Sequence, residues 1–101
     1  MARDRFADEI RYYLDPDTDQ PHFFARDISV NEVLDVLRKP LEEIRGRRNS
    51  MIAVGQTRGG RYLKVIYSPD DDGVGIFVVT AYDLPDKQLR ALRRRLRRRP
   101  S

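Results

Sequence analysis

One imidazole, several cations and two phenols are spread through the middle of the chain: His22, Arg26, Arg58, Arg61, Lys64, Tyr67, Tyr82 and Lys87. These residue types share one chemistry, that of phosphate esters. Cleavage of RNA by its own 2′-hydroxyl needs a group to take that proton, a cation to stabilise the charged phosphorane, and an acid for the leaving 5′-oxygen; no metal is required. Arginine, tyrosine, lysine and histidine can supply all three roles. The same residues have a plainer use, because Arg and Tyr on a small sheet are often solvated or lie at the core edge, a lone loop histidine is commonly structural, and Tyr67 is expected to pack. The sequence holds no Ser-centred elbow and no paired-His motif, and Gly59-Gly60 sits in a hairpin, not ahead of a helix as a phosphate-binding loop requires. With no Cys and one His, a metal site would have to be built mostly from carboxylates, so no metal or other cofactor is expected.

The elements that would position these groups centre on Met51 to Asp83. Met51–Thr57, Arg61–Ser68 and Val74–Tyr82 are rich in Val, Ile, Tyr and Phe, and Arg58-Gly59-Gly60 and Pro69 to Gly73 separate them. Short turns between successive strands imply an antiparallel meander. Alternation in the middle run places Arg61, Leu63, Val65 and Tyr67 on one face and Tyr62, Lys64 and Ile66 on the other. Upstream, Phe6, Ile10, Tyr13 and Leu14 form one helical stripe, which predicts a helix over 4–14; a strand through Ile10–Leu14 competes, since Tyr12-Tyr13 favours sheet. Ser29 and Glu32 form a capping box, Ile28 can staple onto Val33, and Pro40 ends the helix near Arg38 or Lys39. Leu41 to Ile44 reads as a short turn. Asp83 as a cap with Pro85 just inside predicts a last helix, carrying Leu89, Leu92 and Leu96 as its apolar stripe. The expected fold is α+β: a small antiparallel meander of three to four strands flanked by N-terminal helices and a basic C-terminal helix.

Residues 1–101 suffice for one domain with a modest core, at 40% hydrophobic residues and no Trp. The N-terminus lacks an apolar signal core and no run approaches a membrane span, so a cytoplasmic protein is expected, with no membrane partner. The net charge of +4 is local: residues 85–101 carry eight Lys/Arg against one Asp, and the remainder twelve basic against fifteen acidic residues. Such a segment implies an anionic partner, nucleic acid first, then anionic membrane or an acidic protein. Arg58, Lys64, Lys87, Arg94, Arg95, Arg98 and Arg99 are the candidate nucleic-acid contacts. Six Arg between Arg93 and Arg99 repel one another, so 97–101 is expected to fray without counter-charge.

The order Arg26-Asp27-Ile28-Ser29, a helix with Glu32-Val33, Pro40, Ala53-Val54-Gly55-Gln56-Thr57, Gly60-Arg61-Tyr62-Leu63 and Val78-Val79-Thr80-Ala81 before a basic helix resembles the BrnT-type toxins of the RelE/ParE superfamily over roughly residues 22–95. The resemblance implies a RelE-like sheet with flanking helices, ribonuclease activity without a metal, and neutralisation by a co-encoded antitoxin. It makes Arg61 the first choice for the scissile phosphate, with Arg26, His22 and Tyr82 as further catalytic candidates. Tyr82 stands where the family has the arginine of a Ser-Ala-Arg ending, and Thr80 where it has the serine. A tyrosine can act as an acid or stack on a base but cannot hold phosphate in a guanidinium fork. Outside the resemblance, a non-catalytic module that binds nucleic acid or an acidic protein through the arginine helix remains the competing reading.

Overall fold

The computed structural model describes residues 10–70 and 75–98. Its centre is a five-stranded mixed sheet in the order β1-β5-β4-β3-β2, formed by β1 (Ile10–Tyr12), β2 (Glu42–Arg45), β3 (Met51–Gln56), β4 (Tyr62–Pro69) and β5 (Ile76–Asp83). Strands β2 to β5 make the antiparallel meander, and β1 adds to β5 in parallel with Ile10 opposite Ile76. The architecture is α+β. Its strands number five, not three or four, and two readings change accordingly. Ile10–Tyr12 is strand, as the competing reading had it, because Tyr12 turns into the core and meets Phe23 edge to face at 5.9 Å; residues 4–9 of the expected helix lie outside the described residues. Glu42–Arg45 is strand, not turn, paired along β3 with Glu42 opposite Val54.

Helix α1 (Val30–Arg38) has the expected ends. The Ser29 side chain accepts from the Glu32 N–H, while the Glu32 carboxylate accepts from the Ser29 N–H at 3.0 Å. Ile28 and Val33 on either side of this box are both buried, as a hydrophobic staple requires. Val33, Val36 and Leu37 of α1 then pack on Leu63, Val65, Tyr67, Val78 and Ala81, closing one face of the sheet. A 3-10 helix, His22–Arg26, plugs Phe23 into the same core and ends at Asp27 in a left-handed conformation (φ 59°).

Helix α2 (Asp86–Arg98) lies on the opposite face, where Leu89, Leu92 and Leu96 pack with Val54, Leu84, Leu41, Ile52 and Tyr62. Asp83 does not cap it. Strand β5 runs through Asp83, and the helix opens with the Leu89 N–H donating to the Pro85 carbonyl at 2.8 Å. The helix continues through Arg97 and Arg98; residues 99–101 of the expected frayed tail lie outside the described residues. No helix among the described residues is long and apolar enough to cross a membrane.

Candidate nucleic-acid interface

Because α2 covers the β2–β3 side of its face, the β4–β5 side of that face stays partly open. Register places Lys64 opposite Tyr82 and Ile66 opposite Thr80. Lys64, Ile66 and Tyr82 are half-buried. Tyr82 is the hub: the Arg26 guanidinium stacks over its ring at 4.2 Å from the centroid, and the Lys64 ammonium lies at 5.8 Å. Both distances fall within cation–π range. Arg26 reaches this face from the 3-10 helix, where its Nη1 donates to Thr80 Oγ1 and to His22 Nδ1, each at 3.3 Å. The open strip is extended by Tyr62, with the Arg93 guanidinium 5.6 Å from its ring, and by Phe77, with Arg11 at 5.6 Å.

Three of the strip's cations lack a counter-charge among the described residues, a property they share with exposed arginines of α2 such as Arg94 and Arg98. Among the described residues, Arg26, Lys64 and Arg93 have no carboxylate partner, whereas Arg11 pairs with Asp70, Arg58 with Asp35 and Arg95 with Glu42. Unneutralised cations interleaved with aromatic rings are the composition that single-stranded nucleic acid recognises, through phosphate contacts and base stacking.

Arg61 lies elsewhere. The β3–β4 hairpin turns through Gly60 at φ 94°, where a side chain would be strained, and the Arg61 N–H bonds Thr57 Oγ1 at 3.1 Å. Its guanidinium then points to the α1 side of the sheet. Nε and Nη2 grip the two Asp83 oxygens at 2.7 and 2.9 Å, Nη1 donates to the Asp27 carbonyl at 2.7 Å and faces Glu32 at 3.4 Å, and Nη2 donates to the Arg26 carbonyl at 3.1 Å. A guanidinium has five N–H donors, and these contacts employ all of them. Bonding to Asp83 raises the Arg61 pKa well above its ordinary value and lowers that of Asp83. The depression beside Arg61 is rimmed by Asp27 and Glu32 as well, which disfavours an anion there.

The sequence-derived candidates therefore divide. His22, Arg26, Lys64 and Tyr82 come together, and Arg61 holds the backbone that carries Arg26. Arg58 sits in the β3–β4 turn with its N–H bonded to Asp35 at 3.1 Å. Lys87, Arg94 and Arg98 are exposed on α2, while Arg95 is drawn onto Glu42 by bonds of 2.7 and 2.8 Å that raise its pKa. Arg99 lies outside the described residues. Tyr67 packs as expected, its hydroxyl donating to Glu43 at 3.3 Å, and burial raises its pKa. Sequence reasoning missed Tyr62 and Arg93 as members of the strip. The signal was present: Tyr62 shares the Lys64 face by alternation, and Arg93 stands one turn after Leu89, beside the apolar stripe.

The chain belongs to the family described as a domain of unknown function (DUF4258), which it matches over residues 21–83. No curated protein and no solved structure matches it. The family segment contains His22, Arg26, Lys64, Thr80 and Tyr82, and stops before α2.

Proposed function

We propose that this domain is a toxin-like, metal-independent endoribonuclease of the RelE-like kind, which binds single-stranded RNA on the open β4–β5 strip and is restrained by a co-encoded antitoxin. The carboxylate-free cluster of Arg26, Lys64 and Tyr82 is the single observation that carries this reading. Stacking positions a base on the aromatic surface, and the cations draw the adjacent phosphate to the same spot. The 2′-oxygen then attacks phosphorus, the bond to the 5′-oxygen breaks, and the products are a 2′,3′-cyclic phosphate and a 5′-hydroxyl. One proton leaves the 2′-hydroxyl and one is returned to the 5′-oxygen. Tyr82, at the centre of the cluster, is the proton-carrying group, and Arg26 and Lys64 stabilise the phosphorane.

The test is incubation of pure protein with single-stranded RNA in excess chelator, followed by analysis of the ends formed. Cyclic phosphate and 5′-hydroxyl ends, lost in Tyr82→Phe, support the proposal. A binding-only module is the second reading, favoured by the full neutralisation of Arg61 by Asp83 and Glu32, which leaves one cation fewer for a transition state. Tight RNA binding without any cleavage would select it.

A further inference from the structure

Behind the Arg26 cluster, His22 connects the guanidinium to a loop that carries a carboxylate. Asp15 lies just past β1, in a tight loop whose ends are bridged by Leu14 and Pro21. The loop is well tied: the Asp15 carbonyl accepts from the N–H of Asp19 at 2.8 Å, its N–H donates to the Gln20 carbonyl at 2.8 Å, and its Oδ1 accepts from the Asp17 N–H at 2.8 Å. With Oδ1 occupied in this way, Oδ2 is left facing His22 Nε2 at 3.9 Å.

Guanidinium nitrogens only donate, so the 3.3 Å contact from Arg26 Nη1 requires His22 Nδ1 to accept. The ring proton of neutral His22 then sits on Nε2, towards Asp15, where the carboxylate favours it. His22 Nδ1 is engaged by Arg26, its Nε2 faces the Asp15 carboxylate beyond direct hydrogen-bond distance, and both Nη1 hydrogens of Arg26 are used, on His22 and on Thr80. Arg26 Nε and Nη2 have no partner among the described residues, and no buried side-chain nitrogen lacks one, so this edge is accessible to solvent. The Nε–Nη2 edge is the geometry that grips two oxygens of one phosphate.

We propose that Asp15 and His22 are positioning residues that fix Arg26 with its Nε–Nη2 edge free, making that edge a bidentate site for one phosphodiester of bound RNA. Tyr82 is the floor beneath the guanidinium and Arg61 holds the Arg26 carbonyl, so the fork is restrained from below and behind. His22 on this account sets a side chain and does not itself move the substrate's proton. The assignment rests on the RNA-binding reading for its ligand, but the relay has a signature in the free protein.

His22 is the only histidine, so its imidazole nitrogens can be read without overlap by long-range proton–nitrogen NMR at pH 8. The parent should show the Nε2–H tautomer, and both Asp15→Asn and Arg26→Ala should move it towards a mixture. A parent with Nδ1–H, or with the same tautomer ratio as both variants, overturns the relay whether or not RNA binds. The ligand is tested with a short fluorescent oligouridylate. Arg26→Ala should weaken binding about tenfold, the loss of one charged hydrogen-bonded contact, and Arg26→Lys should rescue poorly. His22→Ala should weaken binding several-fold alone and add less than about twofold in the Arg26→Ala background, while His22→Gln, which retains an acceptor, should stay near the parent. Additive losses for His22 and Arg26 would overturn the positioning role. No RNA binding by a parent with the expected tautomer would refute the RNA-binding reading and the phosphodiester assignment together, and leave the relay standing.

Discussion

Arg61 should behave as a structural clamp, and Arg61→Ala separates this from a phosphate contact. The side chain is 28% exposed, pairs bidentately with Asp83 and donates to two backbone carbonyls of the 3-10 helix end. Asp83 is 59% exposed, so solvent screens that pair and its worth is about 0.5–1 kcal/mol. The two carbonyl bonds come from a charged donor at about 1 kcal/mol or more each, and truncation leaves both acceptors to be resolvated. The sum is about 3 kcal/mol, a large share of the roughly 5–15 kcal/mol expected for a small domain. Urea unfolding followed by circular dichroism should therefore show a clearly lower midpoint with an unchanged slope. Arg61→Lys should recover under half of the loss, because an ammonium cannot span both Asp83 oxygens and the two carbonyls.

The pH dependence has a definite sign. Arg61 holds the folded-state pKa of Asp83 below the ordinary carboxylate value, so the contribution is complete above the unfolded value of about 4 and disappears as pH falls through the lowered folded value. The stability gap between parent and Arg61→Ala should therefore narrow by the Asp83 share, about 0.5–1 kcal/mol, as the pH is lowered below 4, and the part carried by the two backbone carbonyls should persist. An Arg61→Ala protein within about 0.5 kcal/mol of the parent at pH 7, with RNA binding lost, would refute the clamp and restore Arg61 as a phosphate ligand.

Ser29→Ala should cost about 1 kcal/mol in the same unfolding assay, since it breaks one half of the capping box; no measurable change would mean that the Glu32 side chain does not depend on it. Tyr82→Phe should keep RNA binding and lose cleavage, and Tyr82→Ala should lose both; equal activity of all three proteins in binding and end-product assays would make Tyr82 structural. Replacing Arg90, Arg94, Arg97 and Arg98, all exposed on α2, with Gln should flatten the log–log salt slope of RNA binding by about 0.7 for each phosphate contact removed, without unfolding the domain because Leu89, Leu92 and Leu96 remain. An unchanged slope would make α2 a protein-docking surface instead.

What sequence could tell about this fold depended on how local the cause was. The start of α1 was legible because Ser29, Glu32, Ile28 and Val33 make its cap within a few residues, and three of the strands because β-branched runs alternate between turn signals. Strand β2 was not, since Glu42-Glu43-Ile44-Arg45 looks polar; it is an edge strand, and charges there discourage pairing with other chains. Asp83 suited a helix cap in sequence and serves Arg61 in space, a partner 22 positions away. The candidate site was half legible. Alternation placed Lys64 beside Tyr62, but Lys64 meets Tyr82 only through the β4–β5 register, and Arg26 reaches them only because the 3-10 helix packs at that end of β5. Arg61 misled for the same reason, as its neutralising carboxylates arrive from α1 and from the end of β5.

Where RNA binds is read out by backbone and side-chain chemical-shift mapping of the protein titrated with a single-stranded oligoribonucleotide. The account predicts saturable shifts at Arg26, Tyr62, Lys64, Thr80, Tyr82 and Arg93, with Arg61 and Asp83 unmoved. Shifts confined to the outer face of α2, or centred on Arg61 and Asp83, would contradict it.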